Sequence, residues 1–206
     1  MKINSILFIL MILAIYSCSE KPSGPLPFIG HHEVVDGDTI FHKIPKFDLV
    51  NQDSQSVTNR SLENSIYVSD FFFTHCPSIC PKVKKQMLRI YDKYEDEDLL
   101  KLVSHTLDPK RDDVQVLNTY AKNLGVKSDK WLFLTGDKDQ IYDLNDDYFI
   151  AVVEDDRAPG GIDHSGKIVL VDKEGHVRAF AEGTDPEDVT DFFQDIDRLI
   201  KEYEEK

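Results

Sequence analysis

The chain has 206 residues, 41% of them hydrophobic and 30% charged, which favours one domain with a real core over two full domains. Its 38 acidic and 24 basic residues give a formal net charge of −14 at pH 7. Because nucleic-acid phosphates are bound by an excess of basic side chains, this balance argues against a nucleic-acid partner. We interpret the acidic surface as a solvated face.

The first residues of the chain resemble a bacterial secretion signal. After Lys2, residues 3–16 are almost all apolar, but this run is shorter than the ~20 residues that span a bilayer. The run leads into Cys18 in a sequence that resembles a lipobox, in which the cysteine is lipidated and becomes the mature N-terminus. We therefore predict a signal peptide at 1–17. Ordinary cleavage near Ser17 and an uncleaved short anchor are the alternatives.

A short tether is predicted to follow the signal peptide. Three prolines and a glycine within residues 19–28 are typical of an extended spacer. Residues 18–28 are thus expected to be a lipidated N-terminus and linker, and residues 29–206 the folded domain. Such a protein would be a membrane-anchored lipoprotein with its domain outside the cytoplasm, on the periplasmic face.

Turn signals and hydrophobic periodicity divide the domain into alternating strands and helices. The expected elements, in chain order, are a hairpin over 29–44, strands at 47–50, 55–58 and 65–73, a helix from 80, a strand at 99–106, a helix ending at 125, a strand at 131–134, a helix at 137–144, strands at 148–153, 167–171 and 177–181, and a last helix opening at 185. Asp112 or Asp113 is the expected cap of the second helix. This order predicts an α/β domain with helices on both faces of the sheet.

Two cysteines, Cys76 and Cys80, stand where the buried strand at 65–73 passes into a helix. The unpaired amide groups at a helix start stabilise a thiolate. At i and i+4 on a helix the two side chains would share a face. A disulfide between them would close only a short loop and constrain little of the unfolded chain. The pair could therefore bind a soft cation or act as a redox-active disulfide, and their spacing alone leaves both open.

His164 favours the metal interpretation. It lies in a loop just before the strand at 167–171, where a thioredoxin carries a cis-proline that faces its cysteine pair. This position would bring an imidazole beside two thiolates, and two soft sulfurs with one nitrogen suit Cu(I), which accepts low coordination. Structural zinc normally takes four ligands and is less natural here. We therefore predict a copper site, with Cu(I) the expected state and Cu(II) an alternative.

Three motifs together resemble the Sco/SenC family. They are the sequences THCPSICP at 74–81, TLDPKRD at 106–112 and DHS at 163–165, and the similarity covers roughly residues 45–200. The resemblance implies a thioredoxin-like fold with an inserted β-hairpin beside the N-terminal hairpin extension. It also implies copper binding by Cys76, Cys80 and His164.

The same resemblance implies a function and partners. Copper would be delivered to the binuclear copper site of cytochrome c oxidase, so the oxidase subunit with that site and other copper carriers are the expected partners. The alternative is a thiol–disulfide oxidoreductase that reduces the cysteines of that site. A thiol peroxidase fits less well, because no activating arginine or hydroxyl arrangement is evident around Cys76.

Several polar residues are candidates for supporting roles. Asp108, after the strand at 99–106, could orient the cysteine loop or begin a turn before Pro109, and Arg111 could pair with it. Asp163 could hold the second nitrogen of His164, because metal-bound imidazoles usually need such an acceptor. His75 is either an extra ligand or an exposed neighbour, and we favour the neighbour.

Overall fold

The computed structural model describes residues 24–205, in which strands and helices alternate. In chain order they are β1 His32–Val35, β2 Asp38–Phe41, β3 Asp48–Asn51, β4 Ser56–Thr58, α1 Asn59–Leu62, β5 Ile66–Phe72, α2 Cys80–Lys93, β6 Leu100–Thr106, α3 Val114–Leu124, β7 Trp131–Thr135, α4 Lys138–Asp147, β8 Val152–Glu154, β9 Ile162–His164, β10 Lys167–Val171, β11 Val177–Glu182 and α5 Pro186–Glu204. The predicted signal peptide, Cys18 and residues 19–23 of the predicted linker lie outside the described residues. No helix within residues 24–205 has the length and apolar character needed to cross a membrane.

A seven-stranded sheet forms the centre of the domain, in the order β11-β10-β5-β6-β7-β3-β4. The strands β5, β6 and β7 run parallel, whereas β10, β11, β3 and β4 join antiparallel on either side. Parallel neighbours need crossover connections, which α2 and α3 supply. The central strand β5 is buried along its whole length, as its continuous apolar run predicts.

Helices cover both faces of this sheet. On one face of β5, the Phe72 ring contacts Tyr120 of α3. On the other face, Phe71 contacts Tyr148, which directly follows α4. The helix α5 packs beside α2, where the Tyr94 hydroxyl donates to Asp197 at 2.6 Å. This arrangement confirms the predicted α/β, thioredoxin-like fold class.

Helix ends follow the capping signals of the sequence. The Asp113 carboxylate accepts from the Val116 N–H at 2.9 Å, so Asp113 and not Asp112 caps α3. Gly125 ends that helix with a φ of 74°, a left-handed conformation that glycine adopts at no steric cost. Asp185 caps α5 as predicted, with Pro186 in the first turn.

Two separate hairpins lie outside the main sheet. β1 pairs with β2 across the predicted turn, which forms the N-terminal extension. β8 pairs with β9 between α4 and β10, in the manner of the expected inserted hairpin. His164 is the last residue of β9, so it lies in a short strand and not in the loop that we expected.

The strand predicted at 148–153 is wrong over most of its length. The helix α4 continues to Asp147, and the chain then turns through Phe149, which has a positive φ of 57°. Tyr148 and Ile150 are buried by packing into the core and not by pairing in a sheet. The short helix α1 was not predicted.

The end of the predicted linker is docked on the domain. Leu26 is buried, and the Arg178 guanidinium donates to the carbonyl oxygens of Leu26 and Pro27 at 2.5 and 3.1 Å. The same guanidinium pairs with Asp172 at 3.1 Å and with Glu202 at 2.9 Å. The folded domain therefore begins before residue 29, because a buried cation needs these acceptors.

Candidate metal centre

The cysteine loop leaves the carboxyl end of β5 and enters α2. Cys80 is the first residue of α2, and Pro81 lies in the first turn. Cys76 precedes the helix, in a turn where its N–H donates to the Phe73 carbonyl at 3.2 Å. The expected sharing of one helix face is therefore wrong for Cys76, and the loop brings the two sulfurs together instead.

The hairpin β8–β9 brings His164 to the same place. His164 pairs with Val152 at the end of this hairpin, and its ring lies edge-on to Phe73, 6.0 Å between centroids. Gly160 in the hairpin connection has a φ of +84°, and a Cβ there would lie 2.6 Å from the Phe73 ring. A glycine at 160 thus allows this connection to pack closely against the cysteine loop.

The donor atoms of Cys76, Cys80 and His164 all lie within 4.8 Å of one another. The Cys80 Sγ atom is 3.4 Å from the His164 Nε2 atom. All three side chains are buried, and both cysteines are free thiols. Among residues 24–205, no other group of three or more His, Cys, Asp or Glu side chains is arranged to hold a metal ion.

The two thiols differ in acidity. Burial raises the pKa of the Cys76 thiol, but hydrogen bonds from the Cys80 thiol and from the backbone N–H groups of Ser78 and Cys80 outweigh it, so the net pKa is lowered. Burial raises the pKa of the Cys80 thiol well above its usual range, and the bond it shares with Cys76 raises it further. The Cys76 thiol is therefore the more acidic of the two.

The His164 ring has a single free nitrogen facing the sulfurs. Its Nδ1 atom lies 3.1 Å from the Ser165 carbonyl oxygen, which fixes the ring orientation and leaves Nε2 toward Cys80. Burial lowers the pKa of His164, which favours the neutral imidazole that binds metals. The predicted contact of Asp163 with this ring is not made, because Asp163 is exposed and the Ser165 carbonyl takes the role.

Asp108 is placed near the cysteine loop but outside the group of three donors. Its carboxylate pairs with Arg111, as the sequence suggested. Its backbone N–H lies 3.0 Å from the Thr106 hydroxyl, and its carbonyl accepts from Asp112. In the described residues the Asp108 carboxylate has no hydrogen bond to either cysteine or to His164.

Asp112 supports the cysteine loop, a role that the sequence analysis missed because it considered Asp112 only as a helix cap. The side chain is fully buried and accepts from the Thr74 N–H at 3.0 Å, from the Thr106 hydroxyl at 2.6 Å and from the Thr74 hydroxyl. These bonds tie the start of the cysteine loop to the end of β6. The sequence did contain a signal for this role. Asp112 directly precedes the aspartate that caps the helix, and one helix start needs only one such cap.

Three other histidines, His75, His31 and His32, are not in the donor group. His75 is 59% exposed, with its Nδ1 atom 2.9 Å from the Thr74 hydroxyl and 3.9 Å from Asp112. His31 and His32 are exposed at the start of the β1–β2 hairpin. His75 is thus placed as an exposed neighbour of the cysteine pair.

Two thiols and one neutral imidazole in a buried pocket form a soft, three-donor site. Such a set suits Cu(I), which accepts low coordination, and it lacks the fourth ligand of a closed zinc site. The same two thiols can also exchange electrons as a dithiol–disulfide pair. The geometry therefore supports either metal binding or thiol chemistry at one place.

Comparisons with known proteins place the chain among related sequences and structures. The SCO1/SenC family model matches residues 37–201. A SCO1/SenC family lipoprotein from Bacillus anthracis is 25% identical with a TM-score of 0.70, over 77% of this chain and 95% of that one. BsSco, described as a member of the Sco family of cytochrome c oxidase assembly proteins with a disulfide switch, is 27% identical with a TM-score of 0.66, over 77% and 93%. Arabidopsis thaliana ScoI with copper bound is 26% identical with a TM-score of 0.65, over 77% and 98%.

Proposed function

The chain belongs to the SCO1/SenC family, and we propose that it carries Cu(I) outside the cytoplasm to the binuclear copper site of cytochrome c oxidase. Copper is bound in the similar structure of Arabidopsis ScoI, and BsSco belongs to a family of oxidase assembly proteins. The oxidase subunit with that site and other copper carriers are the proposed partners. Copper is the cargo of the protein, taken up and released at one site.

The observation that supports this proposal best is the donor group itself. Cys76, Cys80 and His164 come from a loop, a helix and a hairpin that are far apart in sequence, yet their donor atoms lie within 4.8 Å. A histidine at this position is unnecessary for dithiol chemistry, whereas a third donor strengthens the binding of a soft cation.

A second candidate function is thiol–disulfide exchange with the cysteines of the copper site. The free, adjacent thiols and the lowered pKa of Cys76 support it, and a disulfide switch is described for BsSco. The two activities exclude each other at any moment, because a disulfide has no thiolates to donate and copper-bound thiolates cannot exchange. The two candidate functions differ in their need for His164, which copper binding requires and thiol exchange does not.

We also propose that a lipid on Cys18 anchors the protein, and the similar protein from Bacillus anthracis is described as a lipoprotein. Five residues, 19–23, separate Cys18 from the first described residue. Five extended residues span at most about 18 Å. The domain would therefore lie close to the membrane surface.

The decisive experiment compares His164→Ala with His75→Ala. We expect His164→Ala to weaken Cu(I) binding by about 100-fold or more, ~2.8 kcal/mol, because one of three donors is lost. His75→Ala, which removes the neighbouring exposed imidazole, should bind as the wild type does. The measurement is competition of the reduced proteins with a chromophoric Cu(I) chelator.

The same variants distinguish the second candidate. For a copper carrier, His164→Ala should retain thiol exchange with a glutathione buffer while oxidase assembly fails at low copper. Normal oxidase assembly in His164→Ala, together with failure in Cys76→Ser, would contradict the carrier function and favour the oxidoreductase.

A further inference from the structure

A buried ion pair lies beneath the candidate metal centre. Lys84 of α2 is 4% exposed, and Asp70 of β5 is fully buried. The Lys84 Nζ atom lies 3.1 Å from the Asp70 carboxylate and 3.1 Å from the Ser104 hydroxyl. The Ser104 hydroxyl also donates to Asp70 and accepts from the Trp131 indole at 2.9 Å. Each polar atom of this network is therefore held in place.

Lys84 belongs both to this network and to the lining of the cavity beside the cysteines. Lys84 follows Cys80 by four residues on α2, so both side chains lie on the same helix face. Lys84 also lines a cavity of about 310 Å³ together with both cysteines. The buried lysine and the two thiols thus share one cavity.

A positive charge near a loaded centre would stabilise it. One Cu(I) with two thiolates and a neutral imidazole carries a single negative charge, and a buried charge is costly unless another charge compensates it. The same applies to the reduced, copper-free pair when Cys76 is a thiolate. Among the described residues that line the cavity with the cysteines, the second lysine, Lys85, is exposed, whereas Lys84 is buried.

We propose that Lys84 is the counter-charge of the dithiolate centre, and that its ion pair with Asp70 positions it there. Lys84 is thus a positioning and electrostatic residue, which touches neither copper nor the partner. By stabilising the thiolate state, it strengthens copper binding and raises the reduction potential of the cysteine pair. The first of these effects rests on the proposed function, whereas the second does not require copper.

If the Lys84–Asp70 pair only stabilised the fold, its removal from a folded variant would change neither the copper affinity nor the reduction potential. Buried ion pairs are often no more stabilising than well-packed apolar residues of similar volume. The Lys84 ammonium already packs over the Phe72 ring, 4.2 Å from its centroid, so a methionine can occupy the same space. A variant that lacks both charges can therefore fold. Such a variant separates the electrostatic role of Lys84 from a role in fold stability.

The test uses the double variant Asp70→Asn/Lys84→Met, which removes both charges and leaves the net charge unchanged. We expect about tenfold weaker Cu(I) binding by chelator competition. We also expect a Cys76–Cys80 disulfide that is several-fold harder to reduce in glutathione buffers at one fixed pH. Asp70→Asn/Lys84→Gln keeps a polar pair and replaces the first variant if that one does not fold.

Two controls isolate the charge. Ser104→Ala disturbs the same network but keeps both charges, and Lys130→Met removes a buried lysine that donates to the Leu100 carbonyl at 2.7 Å, away from the cysteines. Both should stay within about twofold of the wild type. A folded double variant with wild-type potential and affinity, or an equal loss in Ser104→Ala, would overturn the proposal. Absence of Cu(I) binding in the wild type would contradict the proposed function alone, since the potential is measured without copper.

Discussion

We expect His105 to make the stability of the fold depend on pH, independently of the metal centre. Its ring is fully buried in β6, stacked on Phe71 with 4.7 Å between centroids, and its Nδ1 atom is 3.2 Å from the Ser69 hydroxyl. Burial lowers the pKa of His105 to about 3. The folded protein therefore keeps this imidazole neutral at pH values where the unfolded chain protonates it.

The sign of this effect on stability follows from proton linkage. Between about pH 6.5 and 3 the unfolded state binds the extra proton, so the free energy of unfolding decreases as the pH falls through this range. The slope from this group approaches about 1.4 kcal/mol per pH unit. His105→Phe should flatten the decrease, measured by urea unfolding from pH 7 to 4, whereas His31→Phe at an exposed site should not. Equal slopes in the wild type and His105→Phe would contradict this account.

The three donor residues could be predicted from the sequence, but the groups that orient them could not. Cys76, Cys80 and His164 stand in distinctive motifs, so their chemistry could be predicted. The Ser165 carbonyl that orients His164 is a backbone group, which no side-chain pattern reveals. Lys84 was missed because a lysine on a helix is usually exposed.

At the scale of elements, Asp112 connects the cysteine loop to β6 and α3. Its carboxylate accepts from one backbone N–H and one hydroxyl of the partly buried Thr74, and from the fully buried Thr106 hydroxyl. Each orphaned buried donor costs about 1–3 kcal/mol. The neighbouring Asp113 makes a single capping bond at the surface end of α3.

These two aspartates form a matched pair for measurement. We expect Asp112→Ala to lower the free energy of unfolding by about 2–4 kcal/mol, and Asp113→Ala by about 1 kcal/mol, as for other helix caps. Chemical denaturation of the reduced proteins measures both values. A larger loss of unfolding free energy in Asp113→Ala than in Asp112→Ala would contradict the connecting role of Asp112.

Most elements were predictable because their hydrophobic periodicity agrees with their environment. The central strand β5 and the helix α5 are examples, with a continuous apolar run and a clear apolar face. The prediction failed at 148–153, where Tyr148 and Ile150 are buried by side-chain packing after a helix. A short apolar run of this kind has no period that separates a strand from a buried turn.

Arg178 holds the N-terminal segment against the rest of the domain. It joins Leu26 and Pro27 to Asp172 and Glu202, and its guanidinium lies over the Phe28 ring at 4.5 Å. The segment closest to the proposed lipid anchor is thus part of the fold. Sequence reasoning assigned it to a linker because its prolines and glycine are also typical of spacers.

Loss of this guanidinium should loosen the segment and destabilise the domain. We expect Arg178→Met to lower the free energy of unfolding by about 3–5 kcal/mol, because it leaves buried Asp172 without its partner. Limited proteolysis should then cleave near Leu26 in the variant. Arg157→Met, at an exposed ion pair with Asp155, is the matched control and should change stability by less than about 1 kcal/mol. If the N-terminal segment of Arg178→Met resists the protease as well as that of the wild type does, this role of Arg178 is contradicted.

The most direct test of the copper proposal is X-ray absorption spectroscopy of the reduced protein loaded with Cu(I). We expect one copper ion per chain, with two sulfur neighbours and one nitrogen neighbour, and loss of the nitrogen signal in His164→Ala. A first shell of oxygen and nitrogen alone, or an unchanged spectrum in His164→Ala, would contradict a centre made by Cys76, Cys80 and His164.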